Sequence, residues 1–179
     1  RGGQSFFYTT VDDTWRADKI WQHRLGTAQS DDALVHHETD GRFWVGVGRT
    51  RSDRFIVVAS GSKTTSEYRF LDADAPELGL RVFSERREGL EYSLDHAVIG
   101  GTDTFLVLHN GTGPDFELAT SPVQPTPPEQ WRPLIAHDPA VRLEDVDAFA
   151  GHLVVHQRSE GLTQLRIVEL SESGLGEDY

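Results

Sequence analysis

The chain has 179 residues, 37% of them hydrophobic, and carries 29 acidic against 17 basic side chains for a formal net charge of −12. A surface that negative repels phosphate backbones and suits cationic peptides, so nucleic acid is not an expected partner. With no cysteine there is no disulfide, thiolate metal site or cysteine nucleophile, and no apolar run approaches the roughly 20 residues of a membrane-spanning helix, so no membrane association is expected.

The chain opens on Arg1-Gly2-Gly3-Gln4, with no charged-then-apolar leader, and is read as the interior of a longer protein. Short apolar or alternating runs then predict strands at 6–10, 19–25 and 34–38. A second group follows at 43–48, 55–59, 67–71 and 80–83, and a third at 92–99, 105–109, 116–119 and 131–135. The fourth group holds 141–149, 152–156 and 163–169. Clusters of Gly, Asp, Asn and Pro separate these runs, and no 3.6-residue apolar stripe lasts three turns. The predicted class is all-β.

Phe6, Phe55, Phe105 and His152 open similar strands, spaced 49, 50 and 47 residues apart. A period near 50 residues with four strands marks a propeller blade, because one small sheet cannot bury both its faces and stacked blades can. A β-sandwich also uses short strands but needs no such period. The expected blades are 1–40, 41–88, 89–138 and 139–179. The first lacks its opening strand. In the last, only Ser171, Glu172, Ser173, Gly174, Leu175 and Gly176 stand where a fourth strand is due. The prediction is therefore a β-propeller fragment of a little under four blades. Its uncovered faces and edges are expected to make the isolated chain self-associate or rearrange.

Several motifs have a plain structural reading. Ser60-Gly61-Ser62-Lys63 matches a Ser-x-x-Lys nucleophile pair, but on a turn, without the helix or partner motifs that chemistry requires. His36 and His37 are adjacent on a strand and point to opposite faces, so they do not share a metal ion. His152 and His156 share a face but stand roughly 13 Å apart at strand rise. Asp72-Ala73-Asp74 reads as a turn and lacks the spacing of a calcium loop. Asn110-Gly111-Thr112 reads as a hairpin turn before it reads as a glycosylation sequon. The proline-rich stretch 121–129 reads as a stiff link between the third and fourth strands of one blade. No catalytic residue, metal site or cofactor is expected. Arg49, Arg51, Glu91, Asp95 and His96 lie at blade-opening strands, the ones nearest a propeller axis. With Glu144, Asp145 and Asp147 they are the candidates for lining a tunnel or a domain interface.

The string Phe43-Trp44-Val45-Gly46-Val47-Gly48-Arg49-Thr50-Arg51-Ser52 resembles a blade of the oligopeptidase B branch of the prolyl oligopeptidase family. Ala59-Ser60-Gly61-Ser62-Lys63-Thr64-Thr65-Ser66-Glu67 looks like that family's hairpin between blade strands. Matching stretches follow in order at 86–96, 109–111 and 143–149, and earlier at 7–12 and 21–27. The resemblance implies a seven-bladed N-terminal propeller over an α/β-hydrolase domain with a Ser-Asp-His triad, which cleaves short peptides after Arg or Lys. No Gly-x-Ser-x-Gly nucleophile elbow occurs in these residues and the βαβ alternation is missing, so the hydrolase domain is expected elsewhere in the parent and the chain alone is expected to be inactive. The expected role is gate and cover of a cytoplasmic serine peptidase. Its partners would be the parent's own hydrolase domain and short basic peptides. The alternative is a non-enzymatic propeller that scaffolds protein partners.

Overall fold

The computed structural model describes residues 4–171 and 174–178 and forms four antiparallel sheets. The first holds β1 (Ser5–Val11), β2 (Ala17–Arg24) and β3 (Ala33–His37). The second holds β4 (Trp44–Arg49), β5 (Phe55–Gly61), β6 (Ser66–Asp72) and β7 (Arg81–Val82). The third is β8 (Tyr92–Ile99), β9 (Thr102–His109), β10 (Glu117–Pro122) and β11 (Arg132–Ile135). The fourth is β12 (Val141–Ala148), β13 (His152–Ser159), β14 (Leu162–Ser171) and β15 (Gly174–Asp178). In each sheet consecutive strands are neighbours, so every connection is local.

The sheets stack face to face because strand alternation gives each central sheet two apolar faces. Ile20 of the first sheet meets Val45 and Val58 of the second. Phe55, Phe70 and Phe83 of the second sheet pack on Tyr92, Leu94, Phe105 and Val107 of the third. The opposite face of the third sheet, with Ala97, Leu106, Leu108 and Leu118, meets Leu143, Val146, Leu153, Val155 and Val168 of the fourth. Phe105 and Leu106 are adjacent and both fully buried, one on each side of the same sheet. This is the blade stacking that the period predicts.

Three departures from expectation have physical causes. The last blade has a fourth strand: β15 pairs Leu175 with Leu170 and Gly174 with Ser171, the long β14 serving as its template. Residues 172 and 173 of the run expected there lie outside the described residues. The strand expected at 80–83 shrinks to two residues, since Phe83 turns inward to 1% exposure while its N–H still donates to the Tyr68 carbonyl at 2.9 Å. The proline-rich link is a strap between blades as well as a link within one. Thr126 is buried and its N–H donates to the Phe83 carbonyl at 2.7 Å, while Trp131 Nε1 donates back to the Thr126 carbonyl at 3.2 Å.

The first sheet starts at the equivalent of the other sheets' second strand, which leaves β1 as an edge. Its outer face carries Phe6, Tyr8 and His23, with Asp32 accepting from the Tyr8 hydroxyl at 2.6 Å. The outer face of the fourth sheet exposes Leu165 and Ile167.

Candidate functional site

Register equivalence generates the site. Arg49 pairs with Ile56, Asp95 with Leu106 and Asp147 with Val154, each partner following a buried Phe55, Phe105 or Leu153. These three side chains therefore occupy the same position on the first strands of successive blades. The β4–β5 hairpin, 50–54, then brings Arg51 over the next two blades, the third and the fourth.

Arg51 is the centre of the cluster. Its backbone N–H donates to Asp95 Oδ1 at 2.9 Å, its Nη2 donates to Asp147 Oδ1, and its guanidinium lies 4.7 Å from the Phe149 ring centroid. The Asp147 hydrogen bond leads the effects that hold its pKa above the ordinary arginine value. Asp147 is held below the usual carboxylate range by Arg51 first and then by His156, whose Nε2 lies 3.1 Å from Oδ2. Burial pushes the Asp95 carboxyl up, against hydrogen bonds from the backbone N–H groups of Arg51, His96 and Ala148. One carboxylate thus accepts from three successive blades. Asp145 accepts from the N–H of Val146 at 2.8 Å, and Arg49 pairs within its own hairpin with Asp53 at 3.3 Å.

Arg49, Arg51, Asp53, Asp95, Asp145 and Asp147 all line a cavity of about 460 Å³. It carries four carboxylates against two guanidiniums, so it attracts cations as a whole. The remaining candidates lie elsewhere. Glu91 precedes the other end of β8 and bonds the Asn110 side chain. Glu144 pairs with Arg158 at 2.9 Å. His96 faces the second sheet, opposite to Asp95, because neighbours on a strand point to opposite faces. It is 2% exposed, with Nδ1 2.9 Å from Ser52 Oγ, Nε2 3.1 Å from Asp103 Oδ1 and the Phe55 ring at 4.9 Å; burial pulls its pKa down.

Sequence reasoning missed Asp53, Phe149 and His156 as members of this cluster. Asp53 sits in a hairpin at φ 59°, which Asp tolerates better than most side chains. Among the other motifs, Ser60 is fully buried with Oγ 3.4 Å from His36 Nε2, and His37 turns to Asp18 at 3.3 Å. The Asn110 side chain donates to the Gly89 carbonyl at 3.1 Å, as a turn residue does.

Residues 1–177 match the family described as prolyl oligopeptidase, N-terminal beta-propeller domain. The chain is 33% identical to Protease 2 of Moraxella lacunata over 172 residues, covering 96% of this chain and 24% of that protein. It is 34% identical to dipeptidyl aminopeptidase BI of Pseudoxanthomonas mexicana over 173 residues, covering 96% of this chain and 23% of that protein. Oligopeptidase B from Trypanosoma brucei, solved in closed form with covalently bound antipain, superposes with a TM-score of 0.85 at 32% identity, over 96% of this chain and 25% of that one. The chain thus spans about a quarter of the length of these relatives.

Proposed function

The chain belongs to the prolyl oligopeptidase family as part of its N-terminal β-propeller domain, and on that premise we propose that it is the gate and cover of a cytoplasmic serine oligopeptidase that cuts short peptides after Arg or Lys. The chemistry, acyl transfer from peptide to a Ser with His as base, belongs to an α/β-hydrolase domain outside these residues. The observation that carries the reading is the carboxylate-weighted cavity where the first strands of three blades converge. An excess of carboxylates along that groove favours cationic side chains over neutral or acidic ones. The net charge of −12 works in the same direction at longer range.

The test is turnover of an Arg-directed chromogenic substrate. The full-length protein hydrolyses it and this chain alone does not. Hydrolysis by the pure chain would place catalytic chemistry in the sheets and overturn the reading.

The two outer faces also predict how the isolated chain behaves. Phe6 (48% exposed) on one end and Leu165 (61%) on the other belong to faces that inner blades bury. The chain on its own self-associates through them, and a monodisperse monomer in light scattering counts against this.

A further inference from the structure

Arg51 reaches from the second sheet, past the first strand of the third, to the fourth. What it reaches is fixed independently of it. His156 holds Asp147 from the far side at 3.1 Å. Phe149 is stacked on His152, with ring centroids 4.8 Å apart and planes 12° apart. The result is a carboxylate positioned beside an aromatic plate. A planar cation laid across the ring with an edge toward the carboxylate satisfies both, which is guanidinium chemistry; an ammonium, a compact strongly hydrated charge, matches it less well. The seated guanidinium remains exchangeable, because the Arg51 side chain is 45% exposed and borders the cavity that Asp145 also lines.

We propose that Asp147 and Phe149 form a guanidinium-binding site whose resident group is Arg51, and that an arginine side chain of a peptide in the adjoining cavity takes this site by displacing Arg51. The peptide half rests on the functional reading above; the guanidinium site itself does not. Arg51 is then a stand-in ligand that keeps the carboxylate neutralised until a competing cation arrives. Arg49 does not compete, since it is held by Asp53 in its own hairpin.

The experiment is chemical complementation. Arg51→Ala removes the resident group and leaves Asp147 and Phe149 in place. N-ethylguanidinium at millimolar concentration is titrated into wild type and variant and followed by the NMR signals of the Phe149, His152 and His156 rings. The variant binds the probe about tenfold more tightly than wild type. Ethylammonium shows a smaller gain, and Asp147→Asn added to Arg51→Ala abolishes it. Arg51→Gln, which keeps the length of the side chain, provides the same comparison if the alanine variant does not fold. Equal binding of the probe by wild type and variant overturns the site. Full-length activity separates the two ideas. Cleavage after Arg without a binding gain strikes the site alone, while a binding gain without such cleavage strikes the functional reading and leaves the site standing.

Discussion

The seam between the first and second sheets and the seam between the second and third are built from opposite materials. The second is aromatic. Phe55, Phe70, Phe83, Phe105, Tyr92 and Trp131 interlock, with Phe105 edge-on to Phe55 at 5.1 Å, to Phe70 at 4.9 Å and to Phe83 at 5.5 Å. In the first, among the described residues, the buried apolar cluster is Ile20, Val45 and Val58 with partly buried Phe7, Val35 and Val47 around it, and beside them lie the buried acids Asp18, Glu38 and Glu67. Arg86 bridges Glu38 at 2.5 Å and Glu67 at 3.6 Å, while Arg69 takes Glu67 at 2.5 Å. Arg86 also lies 3.6 Å over the Phe43 ring, and Arg16 Nη1 closes the carbonyls of Glu38, Asp40 and Phe43 at 3.3, 3.2 and 2.8 Å. The lesson is one of directionality. Ring packing stabilises through area and degrades in proportion to what is removed. A buried ion network holds only while every charge keeps its partner.

The largest effect belongs to the aromatic seam. Phe105→Ala removes a fully buried ring that touches three others and costs about 4 kcal/mol in urea unfolding. Loss of less than half of that would mean the seam closes over the cavity and is less tightly interlocked than its geometry implies. Next comes Arg86→Met, which strands Glu38 beside a partly neutralised Glu67 and costs about 3 kcal/mol. Adding Glu38→Gln to that variant restores part of the loss, because the stranded charge is gone. A double variant no more stable than the single one would locate the cost in lost packing on Phe43 instead.

Acid separates the seams more gently. The Glu38 carboxyl feels burial pushing it up, but the Arg86 hydrogen bond and the Asp40 N–H outweigh that and leave it below its ordinary 4.5. The unfolded chain therefore takes up that proton first, so this contribution is whole above about pH 4.5 and is lost as pH falls through the folded value. His36 is pulled below 6.5 by burial and then by Arg69, so the first seam also weakens as pH drops below about 6.5. Burial pulls His96 and His109 down in the second seam, which weakens over the same range. Below pH 4.5 the seams diverge, since the first loses the buried, depressed Glu38 carboxylate, whereas the depressed carboxylate bridging the second and third sheets, Glu129, is exposed and its pair with Arg87 is screened. Hydrogen exchange followed from pH 6 to pH 4 shows β2 and β4 amides losing protection before those of β8 and β9; the reverse order would refute the assignment. The smallest effect is Arg87→Ala. Its exposed ion pair with Glu129 is screened by water, and the unfolding midpoint stays where it was.

Much of this arrangement is visible in the chain before folding. The alternation around Phe55 and Phe105 announces strands buried on both sides, and the spacing of those residues announces blades, because burial on both faces needs a neighbour on each. The partners of Arg49, Asp95 and Asp147, namely Ile56, Leu106 and Val154, keep that period at 50 and 48 residues. The three themselves are 46 and 52 apart, so their common blade position emerges only from the strand register. Asp95 and His96 could not share a site, since adjacent strand residues diverge. What stays hidden is pairing that depends on a neighbour. Gly174, Leu175 and Gly176 have little strand propensity, and β15 forms because β14 extends far enough to template it. Phe149 reads as the tail of an apolar strand, and its use as a plate for Arg51 depends on a hairpin 96 residues away from Asp147 in the chain. Nor does a run of prolines disclose which carbonyl its one buried threonine will meet.

That threonine has a mechanical consequence. The strap from 123 to 131 belongs to the third sheet, yet Thr126 is bonded to the edge of the second, and Trp131 lies parallel to Phe83 with planes 10° apart. Three prolines, Pro125, Pro127 and Pro128, keep the segment from stretching. A load that pulls the second and third sheets apart must break the strap's hydrogen bond and unstack that pair together with the ring seam, so the two sheets form a single stiff lever. The first sheet joins that lever through ion pairs and a small aliphatic cluster without a ring seam or strap, so the same load meets less resistance there.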